Sequence, residues 1–270
     1  MSNIYVIPDN YDSIDKILSK DIKGIILGVK DLSIYKLELE IDNIIDIANN
    51  TSKEVIIAIN KMIHNSDLDY VKEVLTKVNN SKITGVIFYN VGIIKIASDI
   101  NFSKELIINK EHQNTNYLTN NFFYNKDVHS SFISSDITYK EILDIKNNTK
   151  MNIYYTVYGY LPIFYSRRHL LSTYFDYIKK DQEDNIYFMY NKEDKYMVRE
   201  EEYGTIVYSP LVNLINEIDK LEDINIIIDL SFNNNIDMID KFINKDKEDN
   251  TYTGFFDKET IYKLKGDKNE

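Results

Sequence analysis

Glu111 and His112 stand side by side, Asp136 follows 24 residues after His112, and His169 closes the run Ser166-Arg167-Arg168-His169. An imidazole and neighbouring carboxylates can take up and release protons near neutral pH. Glu111, His112, Asp136 and His169 are therefore the candidate catalytic residues. Basic residues elsewhere are nearly all Lys, so the adjacent Arg167 and Arg168 read in one of two ways. They form a forked site for a carboxylate or phosphate, or they are two ordinary surface cations. With Tyr160 just before them, and Asn60, Asn65 and Asn116 in earlier loops, they make up the candidate substrate-binding set. His64, His112 and His169 could converge with Glu111 or Asp136 on an N/O metal site, but no H-E-x-x-H or similar spacing supports one. No metal ligand is assigned, and no serine nucleophile elbow is present.

What selects these residues is their place after apolar runs. Ile4 to Ile7, Gly24 to Val29, Val55 to Ile59, Val86 to Tyr89, Leu106 to Ile108, Ser131 to Ser134, Ile153 to Tyr158 and Ile224 to Leu230 read as buried strands. Helical spacing fills the gaps: Tyr11 to Ser19, Leu37 to Asn49, Leu68 to Val78 with Ser66 as N-cap, Ile93 to Ala97, Tyr117 to Tyr124, a Thr138-led helix through Ile145, and Ile236 to Ile243. Such alternation predicts parallel strands covered by helices. An open doubly wound sheet shares the rhythm, but eight strands favour an α/β fold of the (β/α)8 TIM-like barrel type, whose sites lie at the C-terminal strand ends. Between strands seven and eight, residues 186–208 predict a β-hairpin excursion over one barrel end. The expectation is one domain over residues 1–270, with that hairpin as an insertion and residues 246–270 as a C-terminal extension. No glycine-rich dinucleotide or Walker loop is present among the eight glycines.

Composition narrows the chemistry further. The 270 residues include no cysteine, which excludes thiolate nucleophiles, zinc–thiolate sites and cysteine-ligated iron–sulfur clusters in this chain. A net charge of −11 argues against nonspecific nucleic-acid binding, while leaving room for a local basic patch. No apolar stretch approaches the roughly 20 residues of a membrane span, and no signal segment opens the chain, so a cytoplasmic location without membrane contact is expected. The Asn, Ile and Lys bias is that of an AT-rich genome.

The segment Gly159-Tyr-Leu-Pro through Ser166-Arg-Arg-His169 resembles the signature region of the collagenase-like peptidase family U32. Lys110-Glu111-His112 with Thr115-Asn116-Tyr117, Ser134-Ser-Asp-Ile-Thr138-Tyr-Lys-Glu141 and Thr253-Gly254-Phe255-Phe256 extend the resemblance in the family's order. Their spacing suits the short form found in low-GC bacteria. Where the family clusters cysteines this chain has Pro162 and His169, and Glu111 replaces its usual Gln. The resemblance implies either a peptidase, hence a hydrolase, or prephenate-dependent hydroxylation of the tRNA wobble uridine. The missing cysteines leave no iron–sulfur cluster in this chain, and the resemblance implies prephenate as co-substrate and, as partners, a longer cysteine-bearing U32 paralogue and, through that complex, tRNA.

Overall fold

The computed structural model describes residues 3–258 apart from residue 193. The expected extension at 246–270 therefore lies partly outside the described residues. Eight parallel strands close a ring: β1 (Ile4–Ile7), β2 (Gly24–Val29), β4 (Glu54–Ile59), β5 (Gly85–Phe88), β6 (Glu105–Asn109), β7 (Ser130–Phe132), β8 (Asn152–Gly159) and β14 (Asn225–Asp229). The short strand β3 (Glu38–Leu39) pairs with the upper end of β2. Closure comes from β1, which pairs with β2 on one side and β14 on the other. The (β/α)8 barrel expected from the sequence is the fold of this chain.

The ring interior is filled by inward-facing Ile26, Ile56, Ile87, Ile107, Phe132, Tyr154 and Ile227. Phe132 stacks on Tyr154 with centroids 5.4 Å apart. Branched side chains on twisted strands fill such an interior, so it is a packed core and not a pore. Outside, helices α1 (Ile14–Leu18), α2 (Ile41–Asn49), α3 (Leu68–Asn79), α4 (Gly92–Asp99), α5 (Tyr117–Tyr124), α6 (Tyr139–Asn148) and α8 (Asp237–Asn244) follow their strands. Thr138 caps α6 as the sequence predicts, in a capping box in which Glu141 Oε2 accepts from Thr138 N–H at 2.7 Å. Ser66 does not cap α3. It lies within a 3-10 turn, Asn65–Asp67, that leads into the helix, and the Asp67 carboxylate accepts from His64 N–H at 2.7 Å.

The excursion after β8 is larger than a hairpin. It holds β9 (Pro162–Ser166), α7 (Leu170–Ile178), β10 (Ile186–Asn191), β11 (Asp194–Glu201) and β12 (Gly204–Tyr208), with β13 (Val212–Asn213) returning to pair with β8. Four of these strands form an antiparallel sheet in the order β10-β11-β12-β9. One face places Met197, Ile206 and Tyr208 against Ile34, Tyr160 and Phe232 from the loops at the barrel mouth. Helix α7 lies across the other face. The described part of the C-terminal extension packs on the barrel wall, where Phe256 is 1% exposed and stacks on Tyr139 at 5.3 Å.

Candidate functional site

Above the C-terminal strand ends lies a small recess that opens to solvent. Its walls come from several strand ends: Tyr35 after β2, Tyr89 after β5, Glu111 and His112 after β6, Ser134 and Ser135 after β7, Tyr160 after β8, and Asp229 at the end of β14. Tyr208 of β12 roofs it. Short hydrogen bonds fix the loops. Asn109 Oδ1 accepts from Glu111 N–H at 2.9 Å, turning the chain so that Glu111 takes a left-handed φ of 45°. Such a backbone costs a non-glycine residue free energy and persists only where its surroundings enforce it. Buried Asn114 then ties the turn to β7 by donating Nδ2–H to Phe132 O at 2.6 Å, while Ser134 N–H donates back to Asn114 O at 3.0 Å.

His112 Nδ1 and Asp136 Oδ2 are hydrogen-bonded. That bond, against partial burial, holds the imidazole pKa above its ordinary value. Burial pushes the Glu111 carboxyl up, with the Tyr89 hydroxyl pulling the other way. Burial also pushes Asp229 up to about 6, although Ser231 N–H donates to its Oδ1 at 2.9 Å. Three carboxyls and one imidazole thus meet at the mouth in a setting suited to proton transfer. Asp136→Asn is expected to return the His112 pKa toward its ordinary value, read from the imidazole resonances in an NMR pH titration. Because the folded pKa is raised, the pair's contribution to stability is full below the unfolded value of about 6.5 and fades as pH rises through the folded one.

The remaining sequence-selected residues are placed differently. Asn60 is 1% exposed, and its Oδ1 accepts from Ser33 Oγ–H at 2.7 Å and Ile34 N–H at 3.0 Å, so it positions the loop after β2. Asn116 caps α5 by accepting from Thr119 N–H at 2.9 Å, and Asn65 is exposed on its 3-10 turn. Arg167, Arg168 and His169 are exposed on the turn between β9 and α7, and none of them lines the recess. His169 Nε2 meets Glu202 O at 3.3 Å. Glu111, His112, Asp136 and Tyr160 therefore come together, with His112 and Asp136 also bordering a second groove beside Leu161, Ile163 and Tyr196. Tyr35, Tyr89, Tyr208 and Asp229 join them, and the strand-end pattern does not single them out. Asp229 ends an apolar run and reads as part of its strand.

No helix among the described residues is long and apolar enough to cross a membrane. Nor do the described residues include a group of three or more His, Asp or Glu placed to hold a metal ion. The cysteine cluster of the resembled family does not fit here either: Pro162 is paired in β9 with Tyr208, and His169 faces a backbone carbonyl.

An α/β barrel with an acid/base recess at its mouth and an antiparallel sheet as roof defines the class. The family model "Peptidase family U32" matches residues 10–228, and the chain belongs to that family. Among curated proteins it is 26% identical over 196 residues to tRNA hydroxylation protein P2 of Bacillus subtilis (strain 168), covering 69% of this chain and 63% of that protein. It is 27% identical over 132 residues to the uncharacterized protease MJ0090 of Methanocaldococcus jannaschii, covering 47% of this chain and 32% of that one. The chain thus spans less than two thirds of the length of either relative. Among solved structures, the U32 peptidase Mk0906 superposes with a TM-score of 0.50 at 10% identity, over 59% of this chain and 70% of that one, a likeness of fold alone.

Proposed function

We propose that this chain is a cluster-free component of tRNA wobble-uridine hydroxylation, acting with a longer, cysteine-bearing U32 paralogue that binds prephenate and carries the redox chemistry. The observation behind this reading is the make-up of the mouth recess. It offers proton-transfer groups and aromatic rings, yet none of its lining residues is Lys or Arg, among the described residues, to neutralise a dicarboxylate. The similarity to tRNA hydroxylation protein P2 supports the RNA assignment. A partner surface is offered by the roof, where Phe164 of β9, Tyr174 and Tyr177 of α7 and Tyr190 of β10 are half-exposed or more. Large exposed apolar groups of this kind mark interaction sites.

Deletion of the gene, followed by mass spectrometry of digested tRNA, is expected to show loss of the hydroxylated wobble uridine, restored by re-expression. Affinity purification of the tagged chain should recover the longer paralogue and tRNA. Unchanged tRNA and a solitary chain would reject the reading.

The family's peptidase activity is the second reading. It is favoured by the His112–Asp136 pair at the junction of the recess and the groove beside Ile163 and Tyr196, a channel suited to an extended peptide. Cleavage of unfolded protein that His112→Ala abolishes would establish it.

A further inference from the structure

We propose that the mouth recess is a binding site for an alkylammonium group, a cation carried on a short aliphatic chain. Four tyrosines, Tyr35, Tyr89, Tyr160 and Tyr208, line it together with the carboxyls of Glu111 and Asp229. Aromatic faces carry negative potential and attract cations, and carboxyls buried beside them lack the counter-charge that water would otherwise screen.

The neighbouring groups point the same way. Tyr208 and Ser231, residues only 3% and 1% exposed, line the recess, the Ser231 hydroxyl bonded to the Asp229 carboxyl and the Tyr208 hydroxyl beside Arg199. Hydroxyl and carboxylate oxygens can all accept, and an ammonium offers three donors and no acceptor. The nearest arginine is already engaged. Arg199 donates Nε–H to Glu201 at 2.8 Å and a terminal N–H to Ile34 O at 3.3 Å, and lies 5.4 Å from the Phe232 ring centre. It is not among the residues lining the recess. An anionic ligand would therefore meet two carboxyls and no lining Lys or Arg, and the lining imidazole of His112 is already bonded to Asp136.

Isothermal titration calorimetry of the whole chain at 150 mM salt tests the assignment with 1,4-diaminobutane, Nα-acetyl-lysine amide and, as the anionic probe, succinate. Saturable binding of either amine is expected, weakened at least tenfold in Asp229→Asn and in Glu111→Gln, two near-isosteric changes. It should be unchanged in Asp223→Asn, which alters an exposed carboxylate at the opposite end of β14. Tighter binding by the free diamine identifies a small polyamine as the ligand, and tighter binding by the lysine amide a side chain. No amine binding at millimolar concentration, equal binding by the recess variants and wild type, or preference for succinate would overturn the proposal. No RNA is present in the titration, so loss of the tRNA reading leaves this one standing, and the reverse holds.

Discussion

Gly159→Ala is expected to lower the melting temperature by roughly 10 °C and to distort the recess. Gly159 ends β8 with φ of +137°, a conformation that L side chains rarely adopt. An added Cβ would lie 2.7 Å from Asp229 Cβ and 2.8 Å from Asp229 O, both on the adjacent strand β14. Strain at such a φ costs about 1–3 kcal/mol. Forcing apart two packed strands adds about 1–3 kcal/mol more. In a domain of this size each kcal/mol lowers the midpoint by about 2–4 °C. Gly254→Ala is the control, because its Cβ would meet only Val212 Cγ2, at 3.9 Å, with φ of +60°. It should cost about 1 kcal/mol, and equal midpoints for the two variants by differential scanning calorimetry would refute the account. Since the clash falls on Asp229, amine binding should also weaken in Gly159→Ala.

Glu200→Ala should release α7 from the roof sheet, at a cost of about 3 kcal/mol. Glu200 sits on β11, 6% exposed, and its carboxylate accepts from Leu171 N–H at 2.7 Å, Ser172 N–H at 3.1 Å, the Ser172 hydroxyl and Thr205 Oγ–H at 2.9 Å. These donors include the first free amides of α7, where negative charge is favoured. Burial alone would raise the Glu200 pKa, but the bonds from Ser172, Thr205 and Leu171 outweigh it and leave it lowered. The stabilisation is therefore full above the unfolded value of about 4.5 and is lost as pH falls through the lower folded one. Wild-type stability should fall over that range, whereas Glu200→Gln should start less stable and lose less there. Hydrogen exchange at Leu171 and Ser172 gives the local reading: fast exchange in the variant is expected, and protection equal to wild type would sink the prediction.

How far the sequence carries the reader depends on how local each signal is. The barrel was legible because each strand is a short apolar run, such as Ile25-Ile26-Leu27 or Ile226-Ile227-Ile228, and each covering helix has its own periodic face. The Thr138 cap was legible for the same reason. The roof sheet was only half visible, since Pro162 to Ser166 becomes a strand by pairing with residues 205–208, about 40 positions away. Nothing near Pro162 announces that partner. Glu111, His112 and Asp136 are visible because they are polar groups that follow a strand. Tyr35, Tyr89 and Tyr208 escaped because tyrosine serves equally well as core filling. Asn60 and Asn116 read from the sequence as candidate ligand contacts; in the structure the Asn60 carbonyl accepts from Ser33 and Ile34 of the loop after β2 and Asn116 caps α5, uses of asparagine that spacing cannot separate from binding.

The closing of the ring by β1 sets an order on how the molecule can be built. Its first strand pairs with Gly24 and Ile25 soon after synthesis, but its other edge must wait for residues 226–229, more than two hundred positions later. Until then β1 and β8 present bare backbone to whatever lies nearby, and an unpaired strand edge invites association with other chains. The roof sheet has no such wait, because its four strands lie within residues 162–208 and pair with one another. It can fold during translation as an island while the ring below stays open. A nascent chain stalled before Asn225 would be a roofed, seven-stranded open sheet, and such a fragment is the species in which aggregation in the cell should begin.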